Sequence, residues 1–155
     1  MTERAPHLLL VEAPYYTHIA ALLREGAEQA LAAAGATFET IQVPGAFEIP
    51  GAIAMAAEAE KPFDGFVALG CVIRGETTHY DHICEETAHW LQALAVEGGL
   101  PIGYGILTCE NEAQALVRAT PSGNGRDKGG EAVRACLTMV AVRRRFAEAG
   151  VEGHK

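Results

Sequence analysis

Short unbroken apolar runs alternate along this chain with longer segments in which an apolar residue recurs every three or four positions, the rhythm of strands and amphipathic helices in turn. The first run, His7–Glu12, ends at Ala13-Pro14. Ile19, Leu22, Leu23, Ala27 and Ala30 then follow at helical spacing until Gly35 stops the pattern. A second strand is predicted over residues 38–43 and is broken by Pro44-Gly45. Pro50 suits the first turn of an alanine-rich helix running towards Glu60, because its missing N–H has no partner to lose there. Gly65–Ile73 is apolar without alternation, as expected of a central strand covered on both faces of a parallel sheet. Thr78-His-Tyr-Asp81 has capping-box spacing and opens a helix that continues towards Val96 and stops at Gly98-Gly99. Residues 101–107 predict a fourth strand, followed by a helix over 111–118, a glycine-rich connection, and a last helix over 128–147.

Four parallel strands joined by crossover helices need helices on both sheet faces, so the fold class is a three-layer α/β/α domain with a four-stranded parallel sheet. At 155 residues the chain can form one hydrophobic core, and a single domain over 1–155 is expected. In such sheets ligands bind beyond the carboxyl ends of the strands. The loops 13–16, 44–48 and 73–78 each follow a strand, and their convergence on one rim marks the predicted site.

Charge and cysteine content narrow the partners. Twelve basic against twenty acidic residues give a formal charge of -8, which opposes nonspecific binding to nucleic acid or acidic membrane. Cys71, Cys84, Cys109 and Cys136 show no C-x-x-C spacing and read as free thiols in a reducing cytoplasm. No apolar run approaches the roughly 20 residues of a membrane-spanning helix.

Several side chains on the rim bring chemistry. His79 stands in a first helical turn at the mouth of the third strand, and an imidazole with a reference pKa of about 6.5 can give and take protons at neutral pH; the plain alternative is a surface histidine. Backbone amides over 75–78 lie at a helix N-terminus and can hold a phosphate, with Arg74, Arg118 and Lys128 offering charge for the same purpose. Phe47 and Glu48 occupy the adjacent loop, where a ring can plug the core or face a ligand and a carboxylate can bind hydroxyls. Tyr15, Tyr16 and Tyr104 are candidates to stack on a flat heterocycle. His82, Glu86 and His89 share a helix face, but no further cluster supplies the remaining ligands of a metal, and Cys84 has no evident base beside it.

Three segments together resemble one family: Val43-Pro-Gly-Ala-Phe-Glu-Ile-Pro50, Gly70-Cys-Val-Ile-Arg-Gly-Glu-Thr-Thr-His-Tyr-Asp81 and Pro101-Ile-Gly-Tyr-Gly-Ile-Leu-Thr-Cys-Glu-Asn111. The chain resembles the 6,7-dimethyl-8-ribityllumazine synthases of riboflavin biosynthesis over nearly its whole length. The resemblance implies a flavodoxin-like fold and condensation of 5-amino-6-(D-ribitylamino)uracil with 3,4-dihydroxy-2-butanone 4-phosphate, releasing phosphate and water, without metal or organic cofactor. It further implies that Tyr15 stacks on the pyrimidine, that Ala46, Phe47 and Glu48 hold the ribityl chain and ring, and that Cys71, Val72 and Ile73 bond the uracil edge. Glu76 and Thr77 match its phosphate loop, His79 its general acid–base residue, and Arg118 the residue that pairs with the substrate phosphate. Lys128 assists electrostatically, and Tyr104 reaches a neighbouring subunit's site. Riboflavin synthase is the implied pathway partner.

The chain departs from the family pattern in places. Tyr15 and Tyr104 stand where phenylalanine is common, and Cys71 replaces a frequent Thr or Ser. The connection between Arg118 and Lys128 is longer than in members that build icosahedral shells, so a homopentamer with sites between subunits is expected.

Overall fold

The computed structural model describes residues 4–60 and 62–153. Four parallel strands, β1 (His7–Glu12), β2 (Thr37–Gln42), β3 (Gly65–Ile73) and β4 (Ile102–Cys109), form one sheet in the order β2-β1-β3-β4. Between and after them run α1 (Thr17–Ala34), α2 (Ile49–Ala56), α3 (His79–Gly98), α4 (Glu112–Ala119) and α5 (Lys128–Gly153). The strand pleat sends alternate side chains to opposite faces. Leu8, Leu10, Val67 and Leu69 pack with Ala27, Leu31, Val133 and Cys136 of α1 and α5, while Leu9, Val11, Phe66 and Ala68 pack with Ile49, Ile53 and Leu91 on the α2 and α3 side. Layers on both faces, a parallel sheet and an interior β3 match the predicted flavodoxin-like three-layer class.

The helix stops are legible one by one. Gly35 and Gly99 end α1 and α3 with φ of 68° and 64°, a left-handed geometry that costs glycine little. On β4, a Cβ at Gly103 would collide with the Ala132 carbonyl oxygen, so glycine there lets α5 lie directly on the sheet. Some boundaries differ from the sequence pattern. The alanine-rich helix after Pro50 is shorter, ending at Ala56 and preceded by a 3-10 turn over Ala46–Glu48, and α5 continues to Gly153. β2 starts one residue earlier because pairing of His7 with Thr37 sets its register, and Val43 has left the strand, its N–H held by the Glu12 carbonyl at 2.9 Å.

β2 is a sheet edge, solvent-exposed along its whole length, Phe38 and Ile41 included. An unpaired strand edge with exposed apolar groups is a template for further pairing.

Candidate active site

The three rim loops do converge. Tyr15 and Tyr16 after β1, Pro44 to Glu48 after β2, Cys71 to Ile73 at the end of β3, and His79 with Ile83 on α3 line a cavity of about 660 Å³. That volume suits a small organic ligand, and its wall is apolar with a few polar groups, as in most such sites. Tyr15 and Phe47 stand 75% and 62% exposed, an unusual display of aromatic surface that only a ligand or a second chain would cover. Tyr15 meets Tyr16 edge to face, ring centroids 5.0 Å apart, which props the outer ring upright.

Beneath these loops lies a buried anchor. Glu12, 2% exposed at the end of β1, accepts two bonds from Arg24 of α1 (Nε 3.0 Å, Nη2 2.7 Å) and one from Gln42 Nε2 at the end of β2 (2.7 Å). The bidentate fork fixes orientation as well as charge. It ties together the two strand ends from which the Tyr15 and Phe47 loops depart. Sequence periodicity offered no sign of it, because a Glu at a strand end and an Arg on a helix are each ordinary surface residues until the fold joins them.

The start of α3 differs from the predicted capping box. Thr78 makes no side-chain cap; instead Thr77 Oγ1 accepts from the His79 N–H at 3.3 Å, and Asp81 is drawn to Arg74 at 3.3 Å. Glu76 and Thr77 sit on the exposed loop leading into His79. Arg74 does not stand free for a phosphate: Glu110 holds its Nε at 2.7 Å and its guanidinium covers the Tyr80 ring at 4.3 Å. His79 and Ile83, one turn apart, face the cavity, whereas Tyr80 turns towards the β4 side.

Tyr104, Arg118 and Lys128 do not line this cavity. Tyr104 pairs in register with Ala68, whereas the cavity begins at Cys71 and Ile73, opposite Leu107 and Cys109. The five residue steps from Tyr104 to Cys109 span roughly 16 Å at the usual rise. Tyr104 instead borders a shallow groove with Ala88, Leu91 and Gln92, with Lys128 Nζ 5.8 Å from its ring. Lys128 is set there by Asp127, which adopts a left-handed φ of 49° and caps α5, its Oδ1 accepting from Gly130 N–H at 3.1 Å. Arg118 lies in the last turn of α4, donating Nη1 to the Gln114 carbonyl at 3.2 Å. Tyr104, Arg118 and Lys128 therefore lie apart from the cavity that holds His79.

The 6,7-dimethyl-8-ribityllumazine synthase family model matches residues 5–144. The chain belongs to the 6,7-dimethyl-8-ribityllumazine synthase family. A 6,7-dimethyl-8-ribityllumazine synthase of Agrobacterium fabrum is 53% identical over 145 residues, covering 91% of this chain and 97% of the relative. Those of Novosphingobium aromaticivorans and Sphingopyxis alaskensis are 52% and 50% identical, each covering 90% of this chain and 97% and 96% of the relative. All three rim motifs of this lumazine synthase family member fall within the matched region.

Burial disfavours the thiolate at Cys71, which lines the cavity, and at Cys84 and Cys136, which do not. Burial, with Cys109 and Glu112 nearby, pushes Cys71 from 9.0 up to about 12, and burial likewise raises Cys84, which shares contacts with Tyr80. Cys136, on the face of α5 buried against the sheet, is also raised to about 12. A thiol that keeps its proton when folded but releases it near 9 when unfolded favours the unfolded chain as pH rises, so stability should fall between pH 9 and 12 and be unaffected by these groups below. Iodoacetamide at pH 8 should label Cys71 and Cys136 far more slowly in the native protein than in the denatured one; equal rates would refute the assigned burial. His82, Glu86 and His89 share an exposed stretch of α3, His89 edge-on to Trp90 at 5.4 Å; among the described residues no group of three or more His, Cys, Asp and Glu could hold a metal. No helix among them is long and apolar enough to cross a membrane.

Proposed function

We propose that the protein condenses 5-amino-6-(D-ribitylamino)uracil with 3,4-dihydroxy-2-butanone 4-phosphate to give 6,7-dimethyl-8-ribityllumazine, phosphate and water. The observation that carries this reading is the cavity at the strand ends, which sets aromatic rings, strand-end backbone and an imidazole around one space in a chain of this family. The reaction needs an amine and a carbonyl to form a Schiff base, phosphate to depart and the second ring to close. Tyr15 stacks on the pyrimidine, the strand end Cys71, Val72 and Ile73 bonds the uracil edge, and Ala46, Phe47 and Glu48 hold the ribityl chain. Glu76 and Thr77 receive the phosphate, and His79 moves protons between the condensing groups. Holding two substrates in contact supplies much of the acceleration, because effective molarity replaces collision.

The half-site of Tyr104, Arg118 and Lys128 serves the cavity of a neighbouring copy: Tyr104 closes over the ring, and Arg118 with Lys128 draws the phosphate. A cavity at one surface and its complement at another make a heterologous contact, which closes into rings. The ring is a pentamer, and the longer connection over 119–127 stops assembly there. The whole chain, 1–155, acts as one domain in the cytoplasm and supplies riboflavin synthase with its substrate.

Mixing both substrates with purified protein and following lumazine absorbance tests the activity: product above the spontaneous rate is expected, while tight lumazine binding without it would sink the enzyme reading in favour of a binding paralogue. Shared sites have their own test. His79→Ala and Arg118→Ala proteins, each nearly inactive, should regain about a quarter of wild-type activity after subunit exchange, since random neighbours complete one site in four. No recovery in demonstrably mixed oligomers would refute sites built between chains.

A further inference from the structure

Arg74 was a candidate phosphate ligand by position, yet its side chain is engaged by two carboxylates and a ring. Its backbone N–H donates to the Cys109 carbonyl at 2.9 Å, tying the end of β3 to the end of β4. Its Nε donates to Glu110 Oε2 at 2.7 Å, its Nη1 lies 3.3 Å from Asp81 Oδ1, and its plane rests on Tyr80. Tyr80 and Asp81 immediately follow His79, so Arg74 grips the first turn of α3 and with it both ends of the loop over 75–78.

The other carboxylate leads further. The Glu110 N–H donates to Gln114 Oε1 at 2.8 Å, the Gln114 N–H donates to Asn111 Oδ1 at 2.9 Å, and the Gln114 carbonyl receives Arg118 Nη1 at 3.2 Å. These bonds make an unbroken line from the first turn of α3, through Arg74, to the guanidinium at the far end of α4. The line joins the His79 half-site to the Arg118 half-site, which in the proposed ring belong to different cavities.

We propose that Arg74 is a positioning residue for both half-sites at once, holding the His79 loop through Tyr80 and Asp81 and the Arg118 helix through Glu110 and Gln114. The proposal rests on the lumazine synthase reading for the identity of the anion and on the observed bonds for the geometry. A planar guanidinium can serve two carboxylates and a ring together, which a lysine ammonium cannot. Two adjacent cavities thus share one brace, and loosening it displaces the proton-transfer group of one and the phosphate partner of the next.

The test measures three things on wild type, Arg74→Ala, Arg74→Lys and Glu110→Gln: steady-state kinetics, inorganic phosphate affinity by calorimetry, and affinity for the lumazine product, with thermal melts alongside. Arg74→Ala should lower kcat roughly tenfold to a hundredfold, the scale of a small misplacement of reacting groups. It should weaken phosphate severalfold while leaving product affinity within about twofold, since the Arg74 side chain does not line the cavity. Arg74→Lys should recover only part of the loss. Glu110→Gln decides between mechanisms by sign: a brace predicts weaker phosphate binding, whereas a merely electrostatic role for Arg74 predicts stronger binding once the competing carboxylate is neutralised. Unchanged kcat and phosphate affinity in Arg74→Ala would overturn the proposal, as would stronger phosphate binding in Glu110→Gln. Equal loss of phosphate and product affinity with a lowered melting point would also overturn it, by reducing Arg74 to a general structural role. If wild type itself turns over no substrate, the functional reading fails, and the phosphate affinities still decide the role of Arg74.

Discussion

Replacing His79 with alanine is expected to lower kcat by about a hundredfold to ten-thousandfold, the range that a positioned acid–base group contributes. The reason lies in the composition of the cavity wall. Among its ionisable side chains, the Cys71 thiol is driven up to about 12 and the Tyr16 phenol is also raised, first by desolvation, so neither trades protons near neutrality. Glu48 lies on the opposite loop, among the groups assigned to the ribityl chain. His79 is the imidazole among the residues lining the cavity, and it stands at the start of α3. The residual rate should be well above the uncatalysed one, because the loops still bring both substrates together. Affinity for the lumazine product should hardly change, since Tyr15, the 46–48 turn and the β3 end still line the cavity. Stopped-flow or steady-state absorbance gives kcat and fluorescence titration gives product affinity; an unchanged turnover number would remove His79 from the chemistry. Cys84→Ser, by contrast, should leave kcat near the wild-type value.

Arg24→Ala should produce a large loss of stability for a substitution at a partly exposed side chain. It strips the bidentate partner from Glu12, which is 2% exposed and cannot reach water for compensation. Breaking a buried pair from one side costs about 3–5 kcal/mol. The low end, about 3 kcal/mol, applies because the Arg24 side chain is 37% exposed and solvent partly screens the pair. For a chain of this length that corresponds to a drop in Tm of about 6–12 °C. Replacing both partners, as in the double variant Glu12→Leu with Arg24→Leu, should recover most of the loss, since an apolar pair leaves no buried charge behind. Calorimetry on the three proteins checks the order; a single variant as stable as wild type would show that Glu12 is hydrated or that its bond to Gln42 suffices. The anchor joins the strand ends that carry Tyr15 and Phe47, so Arg24→Ala should also raise KM for the pyrimidine more than for the butanone phosphate.

The places where sequence pattern and structure part company share a cause. The Thr78-x-x-Asp81 spacing is that of a capping box, but Arg74 captures Asp81, and a local motif loses to a tertiary ion pair. β2 begins and ends one residue earlier than its own composition suggests, because pairing with His7–Glu12 of β1 sets its limits. Arg74 itself reads as one more basic residue on a phosphate loop until Glu110, thirty-six positions away, claims it.

What the chain determined by itself was whatever depends on neighbours in sequence: the alternation of strands and helices, the glycine stops at Gly35 and Gly99, the three rim loops, and the motifs through which the family is recognisable. Periodicity and turn chemistry act over a few residues, so they survive without a fold. Tertiary structure alone decided which of the named side chains share a space. It brought Tyr15, Phe47, Cys71 and His79 around one cavity and left Tyr104, Arg118 and Lys128 outside it, because strand register and the sheet face on which each helix packs set distances that spacing in sequence does not encode.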